Sequence, residues 1–117
     1  MGKKMTLNEY AVAAMRTARP ENDLVCTALG LAGEAGEFAD SVKKYQYHGH
    51  QLDYGHLIEE LGDVLWYIAL GARELGVTLE DVARENNLKL QRRYPEGWDA
   101  QRSIHRDGFE VDRSVNR

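Results

Sequence analysis

The chain has 117 residues, a formal charge of −4 from 15 Lys and Arg against 19 Asp and Glu, and one cysteine. That length fits one domain with a modest core, and the acidic balance argues against a general nucleic-acid binder, which carries a basic surplus. Cys26 has no partner for an intramolecular disulfide, which predicts a reducing compartment, and without a Cys/His cluster a structural zinc site is not expected.

Met1-Gly2-Lys3-Lys4-Met5 is charged with no apolar segment behind it, so no signal peptide is expected. No apolar run reaches the length of a membrane span. The expectation is a cytoplasmic protein that engages neither nucleic acid nor membrane. Thr6-Leu7-Asn8-Glu9 reads as a capping box opening a first helix that ends before Pro20. A second helix is predicted from Asp23 to about Tyr45, followed by a loop, 46–54, containing His48-Gly49-His50. A third covers about 55–75 and stops at Gly76. A fourth opens after Thr78 and stops at Pro95. The remainder, 96–117, reads as an irregular arm. No segment alternates with a period of two, so the fold is expected to be all-α, a single domain with its core at about 6–95.

Two stretches share one pattern. Glu34-Ala35-Gly36-Glu37 and Glu60-Leu61-Gly62-Asp63 both read acid, apolar, Gly, acid. On a helix, i and i+3 share a face, and like charges there are unfavourable unless a cation lies between them. One E-x-x-E pair is ordinary helix surface. In the second helix Leu24, Leu31, Ala35, Phe38 and Val42 form an apolar stripe with Glu34 at its edge and Glu37 one step beyond. In the third, Leu57, Leu61, Val64, Ile68 and Leu75 form the stripe, with Glu60 and Asp63 in the same relation. Packed as an antiparallel hairpin, the helices would bring four carboxylates to one rim, an oxygen-only ligand set that suits Mg²⁺ or Mn²⁺. Asp40 and Glu59 point away from that rim. Trp66 and Leu70 lie on the other side of the third helix and read as an inter-subunit face.

Asn86, Lys89 and Arg93 share a narrow arc of the fourth helix and offer an amide, a compact charge and a planar fork, groups that hold phosphate oxygens. Taken together, Gly30-Leu31-Ala32-Gly33-Glu34-Ala35-Gly36-Glu37, His48-Gly49-His50, Glu59-Glu60-Leu61-Gly62-Asp63-Val64-Leu65-Trp66-Tyr67, Asn86, Lys89-Leu90 and Arg93-Tyr94-Pro95 resemble the MazG-like nucleoside triphosphate pyrophosphohydrolases. The resemblance runs in order from about Glu9 to Arg106. It implies the four-helix core of the all-α NTP pyrophosphatases, Mg²⁺ dependence, cleavage between the α- and β-phosphates of a nucleoside triphosphate, and a homodimer or homotetramer.

Carried over by position, Glu34, Glu37, Glu60 and Asp63 would bind metal, and Lys89 and Arg93 would hold phosphate with Asn86 assisting. Glu37, further from the core, is the candidate general base. Tyr45, Tyr47, Trp66, Tyr67 and Trp98 could stack on a base, although bulky aromatics more often serve a core or interface, and His48 and His50 could contact phosphate or base, although loop histidines are more often solvated. Two other readings stay open. One is the same chemistry on a specialised nucleotide such as dUTP, dCTP, a phosphoribosyl-nucleotide or an alarmone. The other is a non-catalytic helical module that binds a metal-nucleotide or a partner.

Overall fold

The computed structural model describes residue 2 and residues 4–105; the end of the arm, 106–117, lies outside the described residues. These residues form α1 (Leu7–Met15), α2 (Leu24–His48), α3 (Tyr54–Glu74), α4 (Leu79–Arg93) and a short α5 (Ala100–Ile104). Among them there is no β-strand, only an isolated bridge between Pro95 and Gly97. The all-α expectation holds. The chain divides into two compact units, 1–80 and 81–117.

The helix starts follow from local chemistry. Thr6 Oγ1 accepts from Glu9 N–H at 3.1 Å while Glu9 Oε1 accepts from Thr6 N–H at 2.9 Å, a complete capping box. Asp23 and Asp53 cap α2 and α3 by accepting from the N–H groups of Cys26 and His56. At the end of α3, Gly76 takes φ 73°, and Gly76 N–H and Val77 N–H donate to the carbonyls of Arg73 and Ala72. That is a Schellman stop, which favours glycine because other residues resist positive φ. α2 runs one turn further than the sequence suggests, through His48. The loop is therefore 49–53, and Gly49 at φ 74° turns the chain into it.

In the first unit α2 and α3 form an antiparallel hairpin. Thr27 sits against Gly71, Gly30 against Tyr67, and Glu34 beside Glu60 and Asp63, so rising numbers on one helix meet falling numbers on the other. The two glycines set the closeness. A methyl on Gly30 would overlap the Tyr67 ring, and one on Gly71 would come within 2.9 Å of Thr27 Cγ2.

α1 packs on α3, and this corrects one expectation. Trp66 is not an inter-subunit face: its Nε1–H donates to Ala14 O at 3.1 Å and Thr17 Oγ1 at 2.8 Å, closing the C-terminal end of α1. Leu70 is fully buried beside Ala69 and Ala72. Because α1 claims that side of α3, parts of the expected stripes stay open. Leu24, Val42, Leu61 and Leu75 are exposed, whereas Leu31, Phe38, Leu57, Val64 and Ile68 are half-buried. Asn8 ties α1 to the start of α4, its amide nitrogen donating to Glu80 Oε2 and its oxygen accepting from Glu80 N–H.

In the second unit the arm is less irregular than expected. Asp99 caps α5, and Arg102 donates from Nε to Arg93 O at 2.6 Å and from Nη2 to Arg92 O at 3.1 Å. A cation on the last carbonyls of α4 satisfies groups that a helix leaves unpaired and favours its dipole. Tyr94 and Trp98 pack ring on ring at 5.3 Å.

Candidate metal centre

α2 delivers Glu34 and α3 delivers Glu60 and Asp63 to one place. Each offers a carboxylate oxygen, and these oxygens all lie within 4.8 Å of one another. Glu60 is buried, 8 % exposed; Glu34 is half-buried and Asp63 exposed. The hairpin register produces this: the Gly30–Tyr67 contact fixes how the helices slide, and one turn along it places Glu34 opposite Asp63 and Glu60.

Glu37 is not within that close group. It is exposed on α2, near enough for its charge to act on both Glu34 and Lys44. Asp40 pairs with Lys43 at 3.4 Å and Lys44 at 2.9 Å, and Glu59 is exposed, so both stand apart from the three close acids.

The electrostatics record the crowding. Partial burial, then the charges of Asp63, Glu60 and Glu37, then a hydrogen bond with Glu60, raise the Glu34 carboxyl above its usual 4.5. Burial and then Asp63 likewise push up the Tyr10 hydroxyl, which places that ring beside the cluster. Asp40 raises the Lys44 ammonium by hydrogen bond and charge.

Two neighbours of the cluster escape the sequence reading. Tyr10 is one. The other is His56, whose Nε2 lies 3.1 Å from Glu60 Oε1. An H-x-x-x-E spacing places these side chains one turn apart on a helix, so the pairing is legible once Glu60 is suspected. His56 also lines a cavity of about 230 Å³ with Ser41, Lys44, His50, Gln51 and Asp53. His50 therefore belongs to a formed pocket, while His48 ends α2.

Asn86, Lys89 and Arg93 lie on α4 within the second unit, where Asn86 is exposed, Lys89 half-buried and Arg93 buried. Of the aromatic candidates, Tyr67 packs against Gly30 and edge-on to Trp66, whereas Tyr45, Tyr47 and Trp98 are exposed.

A three-carboxylate site with no sulfur or nitrogen donor among its members suits a hard divalent cation. The crowding of acids on Glu34 is what such an ion relieves. Among the described residues, no helix is long and apolar enough to cross a membrane.

Comparison with known proteins gives the same direction. The model of the MazG nucleotide pyrophosphohydrolase domain matches residues 25–98, which run through both units. The Gene 37 protein of Mycobacterium phage L5 is 44 % identical over 105 residues, covering 80 % of this chain and 92 % of the phage protein. The uncharacterized protein YvdC of Bacillus subtilis (strain 168) is 38 % identical over 73 residues, 55 % of this chain and 69 % of that one. No solved structure matches. This chain belongs to the MazG nucleotide pyrophosphohydrolase domain family.

Proposed function

We propose that the protein hydrolyses nucleoside or deoxynucleoside triphosphates between the α- and β-phosphates, giving a nucleoside monophosphate and pyrophosphate, as a Mg²⁺-dependent activity of the cytoplasmic nucleotide pool. The observation that carries this is the Glu34–Glu60–Asp63 cluster built around a buried glutamate in a chain of this family. When bound, Mg²⁺ (or Mn²⁺) supplies neutralisation of phosphate charge. Glu34, Glu60 and Asp63 hold it, with Glu37 completing the set. Glu37, exposed on α2 and outside the three close acids, takes the proton of the attacking water. Lys89 and Arg93 hold the departing pyrophosphate and Asn86 steadies the phosphate chain.

The proposed assembly is a homodimer or homotetramer. Val25, Leu29, Ala32 and Gly36 follow one another at helical spacing on α2, as do Tyr54, Ile58 and Leu61 on α3, and all are exposed. Leu29 at 72 % and Ile58 at 68 % exposure are large apolar groups left in water. A methyl on Gly33 or Gly36 would meet nothing within 4 Å among the described residues, which leaves room for a second copy.

The test is pyrophosphate release from a panel of ribo- and deoxynucleoside triphosphates, including dUTP and dCTP, with Mg²⁺ or with EDTA. Mg²⁺-dependent release that is lost in Glu37→Gln and in Glu60→Gln supports the reading, and the panel ranks the bases. A folded protein that releases none from any nucleotide would sink it in favour of a binding module.

A further inference from the structure

Glu60 is the buried member of the three close acids, and the residue that holds it has no part in the reaction as proposed. His56 Nε2 lies 3.1 Å from Glu60 Oε1, one turn earlier on α3. The imidazole is itself well placed to act as a fixed donor. The backbone N–H of His56 donates to Asp53 Oδ1 at 3.1 Å, so the residue belongs to the capped first turn of α3 and not to a free loop. Its ring is half exposed and forms the wall shared by the acid cluster and the cavity of Lys44 and His50.

A glutamate has three rotatable side-chain bonds, and a buried one surrounded by like charge would turn its carboxylate away from its neighbours. A hydrogen bond to one carboxylate oxygen opposes that rotation. Outer partners of this kind fix ligand orientation at metal sites. We propose that His56 is a positioning residue of the metal centre, which by donating Nε2–H to Glu60 holds that carboxylate turned toward Glu34 and Asp63. The inference rests on the metal-binding reading above.

The experiment measures Mn²⁺ binding to the purified full chain without nucleotide, by electron paramagnetic resonance, for wild type, His56→Ala and His56→Gln. Melting curves and the kcat and KM for the best nucleotide accompany it. His56→Ala is expected to weaken Mn²⁺ binding by about 10- to 100-fold with little change in melting. His56→Gln is expected to recover most of the affinity, because a Gln amide at i reaches an acceptor at i+4. Unchanged Mn²⁺ affinity in His56→Ala with a raised KM would make the imidazole a substrate contact of the cavity and overturn the positioning role. Equal loss in both variants overturns it too, since the role lies in the donated N–H. If wild type itself binds no Mn²⁺, the metal centre fails, and that outcome is visible before any variant is compared.

Discussion

The two halves of α3 do different work with similar-looking residues. From Ala69 to Ala72 four consecutive residues are buried, because α2 covers one side through Thr27 and α1 covers the other through the helix end that Trp66 closes. From Tyr54 to Asp63 only Glu60 is buried, and the exposed apolar residues Tyr54, Ile58 and Leu61 stand among acids. One end of the helix carries the packing energy, and the other carries a cluster of like charges that opposes folding. A rod stabilised at one end can present a repulsive cluster at the other, which is how a small helical chain affords a polyanionic site.

The division is sharpest under single substitutions. At the charged end, Glu60→Gln is expected to reduce pyrophosphate release by at least about 100-fold, because a ligand should cost more than the 10- to 100-fold typical of its outer partners. Its metal-free melting temperature should not fall. At the packed end, Leu70→Ala removes a fully buried side chain and is expected to cost about 2–5 kcal/mol in denaturant unfolding. The comparison breaks if Glu60→Gln melts as early as Leu70→Ala, since Glu60 would then be part of the core.

The next effect is smaller and tests what links the ends. Gly30→Ala drives a methyl into the Tyr67 ring, which must move or push α2 from α3. Overpacking of this kind costs about 1–3 kcal/mol. Since the same contact sets the register that brings Glu34 opposite Asp63, Mn²⁺ binding should weaken alongside stability. Retained metal affinity in a destabilised Gly30→Ala would show that the register survives without this contact.

The parts of this molecule that local chemistry decides are legible in its sequence. The Thr6–Glu9 capping box, the Asp23 cap and the Gly76 stop each depend on residues within five positions of one another. The acid cluster is legible for a related reason: two matched i, i+3 pairs on adjacent helices can meet only if the helices form a hairpin. What periodicity cannot resolve is which of two apolar sides of α3 meets α1. Trp66 and Leu70 look surplus when the stripe is drawn through Leu61 and Leu75, and only the packing of α1 reverses the assignment. The position of Glu37 escapes for a similar reason. An angle around a helix places it near the rim, yet the close approach of carboxylate oxygens within 4.8 Å is decided by side-chain rotamers and by the register set at Gly30.

The smallest expected effect concerns proton linkage at Glu34. Its carboxyl is raised above 4.5 in the folded protein, first by burial and then by Asp63, Glu60 and Glu37. A raised carboxyl contributes stability that is fully present below the unfolded value and is lost as pH rises through the folded one. Metal-free protein should therefore lose stability on going from about pH 4 toward neutrality through this group. Glu9 and Asp40, both lowered by their hydrogen bonds, work in the opposite sense over the acid side of that range. Glu34→Gln removes the first contribution and leaves the other two. Its melting temperature minus that of wild type should become more positive as pH rises above 4.5, measured in EDTA. Saturating Mg²⁺ should reverse the order at neutral pH, because wild type gains ligand stabilisation that the variant cannot. Melting curves that run parallel with pH in EDTA would show that Glu34 carries no strain from its neighbours, and the charged end of α3 would then be no less settled than the packed one.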